Sequence, residues 1–250
     1  MSARAAGMGF ASSTLIDEWS LFNNPGSLGS QSAMSASAAY EVRTRLQNAN
    51  RMAFAFTAPA KWGVWAMGAF RFGDNLYNEH LVSAGFGNKF GIATLGIKAN
   101  YIQYRAEGFQ TYGTFSLDFG GVVEFTDQLS VGAYITNLTQ STLKTEGTTE
   151  TLPTRLTTGI TYKPNPTLVI TTELDKDIEY KPTWRTGIEY THQEKFFART
   201  GFSLNPNNGY FGLGAKRKRL QADYAVILNA LIGASHHVSV TYRITKAEEK

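Results

Sequence analysis

Segment after segment in the last third of the chain places apolar side chains at every second position, with polar ones between them. Val238, Val240, Tyr242 and Ile244 share one face against Ser239, Thr241 and Arg243. Leu220, Ala222, Tyr224, Val226 and Leu228 stand against Gln221, Asp223 and Ala225. Trp184, Thr186, Ile188 and Tyr190 stand against Arg185, Gly187, Glu189 and Thr191. Successive side chains of a strand point to opposite faces, so a period of two specifies strand. Strands of about ten residues, apolar on one face and charged on the other, match the wall of a barrel that crosses a membrane with lipid outside and a polar lumen within.

No apolar run approaches the roughly 20 residues that a membrane-crossing helix requires. The 250 residues suit one domain of barrel size, and the absence of cysteine excludes disulfides, cysteine-based zinc sites and a thiol nucleophile. Met1-Ser2-Ala3-Arg4 lacks the apolar stretch of a signal peptide, so the chain reads as a mature sequence with a processed or replaced start. Net charge is +4. The one basic run, Lys216-Arg217-Lys218-Arg219, reads as a charged turn between two strands rather than a nucleic-acid patch, because alternation flanks it on both sides.

Residues 1–33 are rich in Ala, Ser and Gly and show no period of two. Asp17 to Phe22 could open a short helix, with Ser12, Ser13 or Thr14 near its N-cap, and Asn24-Pro25-Gly26 then turns the chain. Beyond them, strands are expected at 34–46, 50–58, 62–73, 78–87, 90–105, 108–126, 128–138, 153–163, 167–176, 183–192, 195–204, 208–217, 218–228 and 235–245. Expected turns at one end are tight: Pro59-Ala60-Lys61, Gly87-Asn88-Lys89, Asp127-Gln128, Pro164-Asn165-Pro166, Gln193-Glu194-Lys195 and 216–219. Connections at the other end are mostly longer, with 139–152 the longest. Alternation of short periplasmic turns with longer external loops is the outer-membrane pattern, and an even strand number leaves both termini periplasmic. Most of the tight turns carry a cation (Lys61, Lys89, Lys163, Lys195 and the 216–219 run), expected to meet phospholipid headgroups.

The expectation is therefore an all-β chain: a transmembrane antiparallel barrel of about 14 strands over 34–245, a plug at 1–33 and a tail at 246–250. Trp19, Leu21 and Phe22 need burial, which favours a plug over a disordered periplasmic tail for this segment. Its candidate residues are Trp19, Phe22, Asn24, Pro25 and Gly26. Leu95, Ile97, Ala99, Tyr101, Leu156, Ile160, Tyr162, Leu168, Ile170 and Leu174 are expected to face lipid. Lys98, Glu173, Asp175, Arg185, Glu189, Asp223 and Arg243 are expected in the lumen as a salt-bridged network, since a cation facing lipid near the midplane costs about 2–4 kcal/mol.

Enzymatic chemistry finds little purchase. His236 and His237 would point to opposite faces of a strand and cannot share a metal. Glu173 and Asp175 read as counter-ions for Arg185 or Lys98. No G-x-S-x-G, Walker A or H-E-x-x-H motif occurs, so neither a catalytic site nor a cofactor is expected.

Residues 2–9 (Ser-Ala-Arg-Ala-Ala-Gly-Met-Gly), Asp17-Glu18-Trp19-Ser20 and Asn23-Asn24-Pro25-Gly26-Ser27-Leu28 resemble the opening of the PorV/PorQ family, FadL-like barrels of Bacteroidota. Residues 220–225 and 236–244 resemble that family's closing hairpin. Two departures stand out: Gly26 replaces the usual Ala, and the last strand ends on Ile244 followed by 245–250 rather than on an aromatic residue. The resemblance implies a fourteen-stranded plugged barrel that binds another outer-membrane protein or a secreted protein, as a subunit of a type IX secretion-like machine. The alternative it implies is passive transport of small hydrophobic molecules. Mostly short external connections favour the first reading. Membrane lipid is the other expected partner, and nucleic acid is not expected.

Overall fold

The computed structural model describes residues 1–46 and 48–244, so Thr245 and the expected tail 246–250 lie outside the described residues. The strands are β1 (Ser35–Arg43), β2 (Arg51–Ala60), β3 (Gly63–Gly73), β4 (Tyr77–Phe90), β5 (Ala93–Ala106), β6 (Tyr112–Glu124), β7 (Leu129–Thr136), β8 (Thr142–Lys144), β9 (Thr149–Thr151), β10 (Arg155–Asn165), β11 (Leu168–Asp177), β12 (Thr183–His192), β13 (Phe196–Leu204), β14 (Asn208–Arg217), β15 (Leu220–Asn229) and β16 (Gly233–Arg243). All but β8 and β9 form one closed antiparallel barrel of 14 strands, in which β1 pairs with β16. Closure leaves no open sheet edge, the condition for a sheet to survive in lipid.

Alternation decides which way each side chain points. On β10, Thr157, Gly159 and Thr161 face inward and are buried, while Leu156, Ile160 and Tyr162 face outward. Outward groups are large and exposed: Trp65 at 59%, Leu213 at 65% and Phe115 at 71%. A continuous apolar belt of this size is explained by lipid contact. The lipid-facing residues expected from the sequence lie on this belt, with Leu168 and Ile170 half-buried and the others exposed.

Local differences from expectation have local causes. The turn expected at 87–89 lies at 91–92, because Asn88 and Lys89 stay paired with Leu95 and Thr94 and the reversal uses Gly91 at φ 62°. The turn expected at 164–166 falls at 166–167. β10 carries Pro164 within its last residues by shifting register between Tyr162 and Asn165, which accommodates a residue with no N–H to donate. The stretch 139–152 is not a featureless loop. Its β8–β9 hairpin is anchored at the base by Asn137, whose side chain donates to the Leu152 carbonyl at 2.9 Å.

The lead-in folds inside the barrel. Helix α1 (Ala3–Gly7) is capped by Ser2, whose hydroxyl accepts from the Ala5 N–H at 3.0 Å. Helix α2 (Ser20–Asn23) has Trp19 at its N-cap with no side-chain cap, so Ser12, Ser13 and Thr14 do not cap it. Asn24 ends α2 and starts a 3₁₀ turn over Pro25–Ser30, its side chain accepting from the Gly26 N–H at 2.9 Å with Pro25 at the first helical position. In place of a conventional core, plug side chains meet inward residues of the wall. Leu21 and Leu28 pack on Val64 and Ala66, Trp19 on Ala53 and Ala55, and Ala3 and Ala6 on Ala225. Each fully buried Leu contributes about 1.5–3 kcal/mol.

Candidate functional site

The plug touches the wall where the wall has no side chains. A Cβ added to Gly96 would overlap the Pro25 carbonyl, and one added to Gly26 would overlap the Gly121 backbone. Glycine at these positions lets two backbones approach closely. An alanine at position 26 would collide with the wall.

Charges tie the same surfaces together. Arg4 reaches Glu189 on β12 through Nη2 at 2.7 Å and Nε at 2.9 Å, and its Nη1 lies 3.3 Å from Asp17. Glu173 on β11 accepts the backbone N–H groups of Ser12 and Ser13 at 2.9 and 2.7 Å. Glu18 meets Arg243 at 2.6 Å. Asn24 donates to the carbonyls of Ser13 at 2.6 Å and Gly121 at 3.2 Å.

Every lumenal charge expected from the sequence sits on the inner wall with an opposite partner. Lys98 meets Asp118 at 2.8 Å. Arg185 forks to Glu173 at 2.8 Å and Asp175 at 2.9 Å. Asp223 and Glu189 converge on Arg199, which reaches Asp223 at 2.7 Å. Desolvation makes such pairs tolerable only when both members are present. Of the two cations proposed for the Glu173–Asp175 pair, Arg185 takes it, and Lys98 is engaged elsewhere. Trp19, Asn24, Pro25 and Gly26 are buried against the wall, and Phe22 is half-buried over Gly68, with Lys98 Nζ 6.0 Å from its ring.

Sequence reasoning missed Arg199, Asp118, Arg4 and Glu41. Asp118 alternates with Leu117 and Phe119, so the period of two was present to find it. Arg199, only 4% exposed, was hidden by Phe196-Phe197, where two adjacent aromatics blur the alternation. Among the described residues, no group of three or more His, Asp and Glu could hold a metal. His236 faces out to the Tyr224 hydroxyl and His237 faces in, as the strand period requires.

Cavities remain on both sides of the plug. On the side of the 137–154 connection, a chamber of about 190 Å³ is lined by the apolar Met1, Phe10, Ala39, Ala53 and Phe70 and also by Glu41, Arg51 and His237. A second chamber of about 270 Å³ shares Met1 and Phe10 and continues past Phe22 and Leu81 to Lys98 and Asp118. Phe10, at the boundary, holds φ 59°, a left-handed conformation costly for an aromatic residue. Its ring stands edge-on to Tyr210 and His237, with centroids at 6.0 and 5.9 Å. On the opposite side of the plug a cavity of about 230 Å³ is polar, reaching Asp17, Glu18, Gln221 and Arg243.

No family model matches the sequence, and no curated protein matches it significantly. Solved structures share the architecture. The toluene transporter TbuX of Ralstonia pickettii superposes with a TM-score of 0.74 at 12% identity, covering 98% of each chain. A FadL homologue of Pseudomonas aeruginosa gives 0.73 at 10% identity, again over 98% of each chain. The toluene transporter TodX of Pseudomonas putida gives 0.71 at 12%, over 96% of each. At these identities the likeness is one of fold.

Proposed function

We propose that the chain is a bacterial outer-membrane channel for passive passage of small apolar molecules, with the short-turn end and both termini periplasmic. The chamber around Phe10 carries this reading. Its volume of about 190 Å³ compares with the ~150 Å³ dry cavity that suffices for benzene, and its lining is mainly apolar side chains. The similar structures include barrels described as toluene transporters, which favours transport over a subunit role. Toluene titrated into the purified protein in detergent, followed by calorimetry, tests the reading. Saturable binding that weakens when Phe70→Asp places a charge in the chamber supports it. No binding of toluene, naphthalene or laurate overturns it.

Membership of PorV/PorQ and a role as subunit of a type IX secretion-like machine remain a second reading. It is supported by the opening motif, the short connections, and a plug tied down by Arg4–Glu189 and Glu18–Arg243. A stoichiometric protein companion in a mild-detergent pull-down from native membranes would support it. A lone barrel carrying an apolar ligand would exclude it.

A further inference from the structure

The outer surface is apolar along β3, β4 and β5 until the row Arg71, His80 and Gln103, where it becomes polar in one step. Arg71 continues the outward row of Trp65 and Met67, His80 that of Val82, and Gln103 that of Ile97 and Tyr101. Pairing registers run without a break here: Arg71 opposes His80, His80 opposes Gln103, and Asn78 opposes Arg105. These residues therefore point away from the lumen. They surround a concavity of about 400 Å³ on the outside of the wall.

Depth places this concavity. From Phe90, beside the short turn, to His80 is ten residues along β4. At about 3.3 Å per residue and a tilt of about 40°, that is a rise of roughly 25 Å, the height of the apolar band of such barrels. The polar row sits where the hydrocarbon ends and headgroups begin. Lumenal cations have acidic partners, but neither Arg71 nor Arg105 has one among the described residues. The Arg71 Nε and the Asn78 Oδ1 are buried without a hydrogen-bond partner. Two guanidiniums suit phosphate oxygens, and Gln103, Asn78 and His80 can bond sugar hydroxyls.

We propose that this concavity binds the phosphorylated headgroup of a glycolipid in the leaflet at the long-loop end. The assignment goes beyond transport and rests on the outward placement of that end.

Native mass spectrometry of the detergent-purified protein tests it, with diphosphoryl lipid A as the probe. The expected result is one retained lipid, reduced at least tenfold in Arg71→Gln/Arg105→Gln and unchanged in Arg217→Gln/Lys218→Gln at the opposite rim. Toluene binding by the first double variant should be unaffected, which separates this site from the chamber. Equal retention by Arg71→Gln/Arg105→Gln, equal retention of the dephosphorylated lipid, or displacement by millimolar inorganic phosphate would overturn the proposal. Arginine-dependent retention of phosphatidylglycerol in place of lipid A would overturn the glycolipid assignment and the outward placement together. Should the double variant fail to fold, Arg105→Gln alone, at an exposed position, is expected to show a partial loss, and no loss would overturn the proposal.

Discussion

Arg4 of the plug and Glu189 of the wall are joined by two hydrogen bonds across 185 residues of sequence, at 2.7 and 2.9 Å. Glu189 also holds Arg199, which in turn holds Asp223 across β14, so one carboxylate links the plug to three strands of the wall, β12, β13 and β15.

Arg4→Ala is expected to loosen the plug by about 3 kcal/mol, since removing one member of a buried pair leaves its partner exposed to a poor environment. The lower end of the usual range applies because Glu189 keeps Arg199. Hydrogen exchange should rise across residues 1–33 and not across β12. Planar-bilayer conductance should rise with it, and unchanged exchange in the plug would contradict the anchoring role.

Gly96→Val tests the close approach of plug and wall. The new side chain meets the Pro25 carbonyl, yet its outward neighbours Leu95 and Ile97 and the β5 pairing are untouched. The barrel should still run as a folded, heat-modifiable species on gels. The 25–30 segment should become sensitive to added protease.

Phe10→Ala enlarges the chamber and removes an aromatic ring from a left-handed backbone position. Uptake of a bicyclic apolar probe into proteoliposomes should accelerate several-fold, with little change in barrel unfolding. Phe10→Trp should slow it. Equal rates in all three proteins would place the path elsewhere.

Leu213→Arg puts a cation on the lipid face near the middle of β14 and should cost about 2–4 kcal/mol. Folding into lipid vesicles, measured by urea titration, reports this directly. Lys98, the same kind of charge turned inward, is tolerated because Asp118 meets it at 2.8 Å. A neutral outcome for Leu213→Arg would contradict the lipid-facing assignment.

The fourteen wall strands were legible because nearly all of them carry their own alternation, a signal contained in local sequence. Inward charges such as Lys98, Glu173 and Asp223 followed from the same period, combined with the cost of a charge in lipid. Arg199 was not legible, because Phe196 and Phe197 obscure the phase of β13. Nor were the destinations of the charges: nothing near Glu189 in sequence indicates Arg4, and nothing near Glu18 indicates Arg243. Ser12 and Ser13 suggested a helix cap and instead give their N–H groups to Glu173.

Local patterning thus determined the element type, the strand number, the inner and outer faces and the closed form, since each follows from backbone geometry and the cost of placing side chains in water or lipid. Tertiary structure decided which lumenal charges pair, how the plug threads past glycines at 96 and 121, and where space remains around Phe10. Those depend on distances between residues far apart in the chain, which no periodicity encodes.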